Sequence, residues 1–137
     1  MDGETLQRIA ARRTDELPGA ELTHPFGEEW DVYKVRGKVF MLQSESTGER
    51  TVTLKSAPED ARVLREAHEA ITPGYHMNKK HWITLHPNVG PEDGADGALD
   101  AGLVEDLVTE SYLLVLERSV PKSQWPVNPA TFGQAQS

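Results

Sequence analysis

The chain has 137 residues, 37% of them hydrophobic and 26% charged, and it contains no cysteine. This composition predicts one water-soluble domain and excludes disulfides, thiolate zinc sites, iron–sulfur clusters and cysteine nucleophiles, while the lack of an apolar run of about eighteen residues excludes a transmembrane helix. The 14 basic and 22 acidic residues leave a net charge of −8, which by itself opposes binding to nucleic-acid phosphates.

The first predicted element is a helix from about Glu4 to Glu16. Leu6 and Ile9 follow helical spacing in this segment, and Pro18 comes directly after it. The acidic start of the chain lacks the apolar core of a secretion signal, so we expect a cytoplasmic protein.

Strands are predicted next. Glu21 to His24 begins a sheet, and Trp30 to Ser44 is rich in β-branched and aromatic residues on both sides of Arg36-Gly37, which predicts a hairpin. Thr51 to Lys55 alternates polar and apolar residues and adds a further antiparallel strand.

A second helix is predicted from about Pro58 to Ala70. The run Ser56-Ala57-Pro58-Glu59 has the spacing of a capping box, and His68 lies on the apolar side of the predicted helix as a partly buried structural histidine. Thr72-Pro73-Gly74 ends this helix, and His81 to His86 has the composition of another strand.

The third helix is predicted from about Ala101 to Leu116, with Asp100 at its N-cap. The preceding segment, Gly90 to Gly97, is a loop rich in glycine and acids. The order of elements predicts an α+β fold, a two-layer sandwich with a mostly antiparallel sheet and helices packed on one face. Residues 1–120 form one domain in this interpretation, and residues 121–137 form a proline-rich tail.

Metal-binding and catalytic motifs are missing from the chain. His76, His81 and His86 recur every five residues, a spacing that places neighbours on opposite faces of a strand and opposes a common metal ion. The acids between Glu92 and Glu110 are interpreted as a solvent-exposed face. Those near a helix N-terminus also complement the helix dipole. We therefore expect no cofactor, no metal and no enzymatic activity, although a histidine–acid pair assembled only in the fold stays open.

One short segment, PGYHMNKKHWITL, is the candidate site. It offers cations for phosphates, an amide for a base edge and aromatic rings for stacking. The residues concerned are Tyr75, His76, Asn78, Lys79, Lys80, His81 and Trp82. Lys34, Arg36, Lys38 and Lys55 on the neighbouring strands extend this basic surface if the fold brings them near. The alternative is that the aromatic residues are core and the lysines merely solvated.

The same segment resembles a known family, the MmcQ/YjbR-like proteins, over about Leu6 to Leu116. The matching stretches are Pro73–Leu85, Val32–Ser44, Thr53–Glu59 and Leu103–Val115. The resemblance implies a frataxin-like (CyaY-like) fold and a DNA-binding role of the type called double-wing. The signature residues that it carries over are Lys34, Lys38, Pro73, Tyr75, His76, Met77, Asn78, Lys79, His81 and Trp82, with Lys80 at a usually basic position.

Three functions are therefore compared. The first is a small DNA-binding domain, and the second is a non-enzymatic module for an anionic small molecule or a protein partner. The third, by analogy with frataxin, is cation binding by Asp100, Glu105 and Asp106, although fold analogy alone is a weak functional argument. We expect a monomer that does not associate with membranes.

Overall fold

The computed structural model describes residues 1–45, 48–74, 78–87 and 99–132. Its helices are α1 (Gly3–Thr14), α2 (Pro58–Ala67) and α3 (Ala101–Ser119), followed by a 3₁₀ turn at Lys122–Gln124; its strands are β1 (Ala20–Thr23), β2 (Trp30–Val35), β3 (Lys38–Ser44), β4 (Thr51–Lys55), β5 (Ile71–Pro73) and β6 (Trp82–Leu85). In this part of the chain no helix has the length and hydrophobicity to cross a membrane. The loop predicted at Gly90–Gly97 lies outside the described residues.

All six strands form one antiparallel sheet in the order β1-β2-β3-β4-β6-β5. Helices α1 and α3 pack against each other and against the sheet. The predicted α+β class is confirmed, whereas the narrower likeness to frataxin stays a prediction.

The hairpin at Arg36-Gly37 is also confirmed, and both residues have positive φ angles, 50° and 80°, as a two-residue β-turn requires.

Helix α3 supplies the central layer of the core. Asp100 caps its N-terminus by accepting a hydrogen bond from the Leu103 N–H at 2.8 Å, as predicted. The helix is buried along one side for most of its length, and Tyr112 is fully buried with its ring 5.6 Å from the ring of Phe40 on β3. The helix therefore packs on β2, β3 and β4 and holds these strands together.

The capping box predicted for α2 is wrong. The N-cap is Ala57, and no side chain caps the helix. The backbone N–H of Ser56 donates to the His81 carbonyl oxygen at 2.9 Å, so Ser56 still belongs to the sheet and stands one residue too early to cap. The helix ends at Ala67, because His68 is extended (φ −132°, ψ 114°) and terminates the helix instead of lying on its face.

Strand β5 was not predicted, since Pro73 was interpreted only as a helix breaker. Ile71–Pro73 pairs with β6 at the outer edge of the sheet. Proline is tolerated at an edge where its nitrogen points away from the neighbouring strand. The sheet is therefore one strand wider than the sequence suggested.

Residues after 120 pack onto the domain as far as they are described. The indole N–H of Trp125 donates to the carbonyl oxygens of Leu116 and Val120 at 2.8 and 2.9 Å, which satisfies two groups at the C-terminus of α3. The ring of Phe132 lies 6.1 Å from that of Tyr112. Trp125 and Phe132 thus attach the described part of the tail to α3. The boundary between residues 1–120 and 121–137 stays a prediction.

A serine of α3 completes the sheet where β3 and β4 stop pairing. The register of β2 and β3 shifts near Phe40, and the β3–β4 ladder ends at Met41 and Leu54. The Ser111 hydroxyl donates to the Phe40 carbonyl oxygen at 2.6 Å and accepts from the Lys55 N–H at 2.8 Å. It therefore stands where the next ladder hydrogen bond would be.

We predict that Ser111→Ala lowers the free energy of unfolding by about 2–3 kcal/mol, because it leaves a buried carbonyl and an N–H without partners. Chemical denaturation monitored by circular dichroism measures the change. Ser119→Ala, at an exposed position in the last turn of the same helix, is the matched control. A loss below about 0.5 kcal/mol for Ser111→Ala, typical of a surface change, would contradict the bridging role.

Candidate nucleic-acid interface

The turn before β6 carries the exposed part of the predicted site. Asn78, Lys79 and Lys80 are exposed. The Asn78 side-chain oxygen accepts from the Lys80 N–H at 2.9 Å, and the Asn78 carbonyl accepts from the His81 N–H at 3.1 Å. These bonds shape a turn that presents two adjacent ammonium groups to solvent. Tyr75 and His76 lie outside the described residues.

Several other cations lie at the same end of the sheet. Because neighbouring strands are antiparallel, β2 and β4 end where β3 and β6 begin. The strand spacing of about 4.8 Å makes the distance from β2 to β6 about 15 Å. We call this surface the basic end and define it by Arg36, Lys38, Lys55, Lys79, Lys80 and Arg118.

Lys34 has a different environment from Lys38. Lys38 is exposed beside the hairpin turn, whereas Lys34 is half-buried on β2. The cross-strand partner of Lys34 on β1 is Glu21, and opposite charges at paired positions attract each other. Part of the charge of Lys34 is therefore balanced within the sheet.

Trp82 is a packing residue. Only 8% of it is exposed, and the Lys55 ammonium lies 5.4 Å from the centre of its ring. The two residues are partners across β4 and β6, and a cation at this distance from an indole is attracted to its face. The ring thus supports Lys55 and has little exposed surface for the stacking on a base that the sequence predicts.

Lys55 and Arg118 repel each other. Burial lowers the pKa of Lys55, and the nearby positive charge of Arg118 lowers the pKa further. Arg118 was missed by the sequence analysis, because it lies in the last turn of α3, beyond the predicted helix end and far from the motif in sequence. It joins the site only through the packing of α3 on the sheet.

The cations of the basic end form no ion pair with any residue of the described ranges. The arginines that are ion-paired lie elsewhere: Arg13 contacts Glu16 and Glu105, Arg50 contacts Glu45, and Arg62 contacts Glu66. Arg36 only donates to the Gln124 carbonyl oxygen, at 2.9 Å. The cations of the basic end are therefore not held in ion pairs by described neighbours. Glu110 and Glu117, which directly precede Ser111 and Arg118 in α3, nevertheless add negative charge to this helix.

Acidic residues concentrate at the opposite end of the sheet, where β2 begins and β3 ends. A cavity of about 360 Å³ there is lined by Glu28, Glu29, Asp31 and Glu45, among others. One end of the sheet therefore concentrates carboxylates, and the other carries cations without ion-pair partners in the described ranges. The net charge alone therefore does not predict which ligands are attracted to either end of the sheet.

Several of the other histidines and carboxylates singled out by the sequence have partners within the fold. His86 contacts Glu49 at 2.5 Å and Thr72 at 2.8 Å, Asp100 caps α3, and Glu105 pairs with Arg13. Across the described ranges no group of three or more histidines and acids is arranged to hold a metal ion. The frataxin analogy therefore gains no support from Asp100 or Glu105.

We predict that Arg118→Gln raises the pKa of Lys55, since removing the neighbouring positive charge favours the charged lysine. The Lys55 side-chain ¹³Cε shift, followed by NMR as pH is raised, measures the pKa. Arg62→Gln removes an equal charge from the exposed face of α2 and is the control. An equal effect of both substitutions, or none from Arg118→Gln, would show that the two cations are not coupled.

Comparison with known proteins shows which family the chain belongs to. The YjbR family profile matches residues 15–114. The Escherichia coli O157:H7 protein described as uncharacterized protein YbdF is 41% identical over 129 residues, which is 94% of this chain and 99% of YbdF. Uncharacterized protein YjbR of Escherichia coli K12 is 33% identical over 97 residues, covering 69% of this chain and 74% of YjbR.

Solved structures agree with this assignment. The crystal structure of Deinococcus radiodurans protein DR2400, with a domain classed as DUF419, matches with a TM-score of 0.70 at 33% identity and covers 90% of this chain and 85% of its own. A Pseudomonas syringae protein at 24% identity matches with a TM-score of 0.61, over 79% of this chain and 96% of its own, and shares the fold. The resemblance to the MmcQ/YjbR-like proteins is thus confirmed, and the chain belongs to the YjbR family.

Proposed function

We propose that the basic end binds the phosphate backbone of double-stranded DNA without reading its bases, and that the protein has no catalytic role. The observation that supports this most directly is the group of exposed cations, Lys38, Lys79 and Lys80, that have no acidic partner in the described ranges of a protein with a net charge of −8. Unneutralised cations on an acidic protein are the electrostatic footprint of an anion-binding surface.

Two of the groups that could read bases, Asn78 and Trp82, are engaged within the protein. Bidentate recognition of adenine by asparagine needs both the oxygen and the nitrogen of the amide. The Asn78 oxygen already accepts from the Lys80 N–H, and this bond ties the amide to the turn. Trp82 is buried beneath Lys55. Asn78 and Trp82 therefore shape and support the surface, and the lysines contact the ligand.

The width of the basic end favours an extended polyanion. Duplex DNA carries one negative charge per about 1.7 Å of its axis, so a surface about 15 Å across faces several phosphates at once. A phosphate close to Lys55 and Arg118 would also relieve their mutual repulsion. The acidic end opposes the encounter, so binding is expected to be weak and strongly dependent on salt.

We predict that the double variant Lys79→Ala/Lys80→Ala weakens duplex binding and reduces the salt slope. Counterion release contributes about 0.9 to the slope of log K against log salt for each neutralised phosphate, so losing two lysines lowers the slope by up to about two. Fluorescence anisotropy of a labelled duplex, titrated with protein from about 20 mM salt upward, measures this slope.

Arg50→Ala/Arg62→Ala is the matched control, because it removes the same charge from residues that are ion-paired away from the basic end. Two duplexes of equal length and unrelated sequence should bind with the same affinity. Absence of any anisotropy change with wild-type protein at low salt would overturn the proposal. Stronger competition by a mononucleotide than by an equal concentration of duplex would instead favour a small anionic ligand.

A further inference from the structure

The two outer edges of the sheet differ in their free hydrogen-bonding groups. Gly74 and His86 donate backbone hydrogen bonds across the β5–β6 pair, so the alternate residues Ile71 and Pro73 direct their backbone groups outward. The Ile71 N–H is bonded to the His68 carbonyl oxygen at 3.1 Å, and proline has no N–H. The β5 edge therefore offers no donor to another strand, a common protection against edge pairing.

The β1 edge is open. The Thr23 hydroxyl donates to the Val32 carbonyl oxygen at 2.9 Å, which shows that this carbonyl points toward β1. The Ala20 N–H is bonded outside the ladder, to Leu17. In an antiparallel pair, every second residue directs its backbone N–H and C=O toward the neighbouring strand. Glu21 and Thr23 therefore bond to β2, and the N–H and C=O of Leu22, which lies between them, point away from the sheet. In the described part of the chain no strand lies beyond β1.

A groove follows this open edge on the helix side. Its volume is about 600 Å³, and it is lined by Arg8 and Arg12 of α1 and by Leu17, Leu22 and Tyr33. Leu22 is 49% exposed although it is a large apolar residue. Exposed apolar surface beside an unpaired strand edge is typical of an interaction site.

The charge of the groove indicates what fits it. Arg8 and Arg12 are exposed, lie one helical turn apart and form no ion pair with a residue of the described ranges. Asp15 also lines the groove, which leaves one net positive charge among these three side chains. A ligand strand that directs carboxylates toward α1 would pair with the two guanidinium groups.

We propose that the β1 edge and the α1–β1 groove bind an extended acidic peptide by strand addition. The peptide backbone pairs with the N–H and C=O of Leu22, and alternate side chains face the groove. Acids belong on the groove face, because Glu21 lies on the opposite face and would repel them. A second copy of this chain is a poorer ligand, since its own groove-face residues on β1, Ala20 and Leu22, bring no carboxylate to the arginines.

The probe is a capped nine-residue peptide that alternates glutamate and valine, and its control replaces every glutamate with lysine. Isothermal titration calorimetry should show binding of the glutamate peptide and none of the lysine peptide. Leu22→Pro removes the outward N–H at a position where an edge strand tolerates proline, together with the leucine side chain that lines the groove. It should weaken binding at least about fivefold, the effect expected for the lost hydrogen bond alone. Arg8→Gln/Arg12→Gln should weaken binding at least as much.

Arg50→Gln/Arg62→Gln is the charge-matched control and should bind the glutamate peptide like wild type. Should Leu22→Pro fail to fold, the Arg8/Arg12 variant decides the question. Equal binding of both peptides, no binding by wild-type protein, or unchanged affinity in both groove variants overturns the proposal. A wild-type dimer that Leu22→Pro converts to monomer in sedimentation would also overturn it, by showing that a second copy occupies the edge.

Discussion

The Ser111 hydroxyl, placed between the Phe40 carbonyl and the Lys55 N–H, is the interaction on which the geometry of the site depends. The hydroxyl takes the place of one hydrogen bond of the β3–β4 ladder. It therefore connects α3, β3 and β4 through one buried group. The consequence reaches the surface because Lys55 is itself one of the two strand residues bonded to Ser111. Its backbone is held by α3, its side chain lies over the buried ring of Trp82, and Arg118 of the same helix is held nearby. Packing in the core therefore determines which cations share the basic end.

The distribution of charge is more informative here than its sum. A net charge of −8 argues against polyanion binding only if the charge is uniform. In the fold, carboxylates gather where β2 begins, and cations without ionic partners in the described ranges gather at the other end of the sheet. Under the proposed function, the field of a polyanion would orient the protein before contact, and the acidic end would limit affinity.

Much of the architecture could be predicted from the local sequence pattern. Hydrophobic periodicity and the residues that favour turns or helix caps determine structure over only a few neighbouring residues. The hairpin at Arg36-Gly37 and the Asp100 cap are examples. Strand β5 could not be predicted, since three residues that include a proline carry no strand signal until β6 provides a partner. Composition likewise identified Lys79, Lys80 and Trp82 together, but it does not specify which of them is exposed. The burial of Trp82 and the contribution of Arg118 are tertiary effects, visible only once α3 is packed on the sheet.

The central claim is that phosphates are bound at one end of the sheet by the cations of the basic end. An NMR titration of isotopically labelled protein with a short DNA duplex at low salt tests it most directly. The account predicts that amide and side-chain signals of Lys38, Lys55, Lys79, Lys80 and Arg118 shift together on one binding curve. Signals of the acidic end, including Glu28 and Glu45, should stay in place. Shifts centred on any other surface, or a spectrum unchanged at a large excess of duplex, would contradict the account.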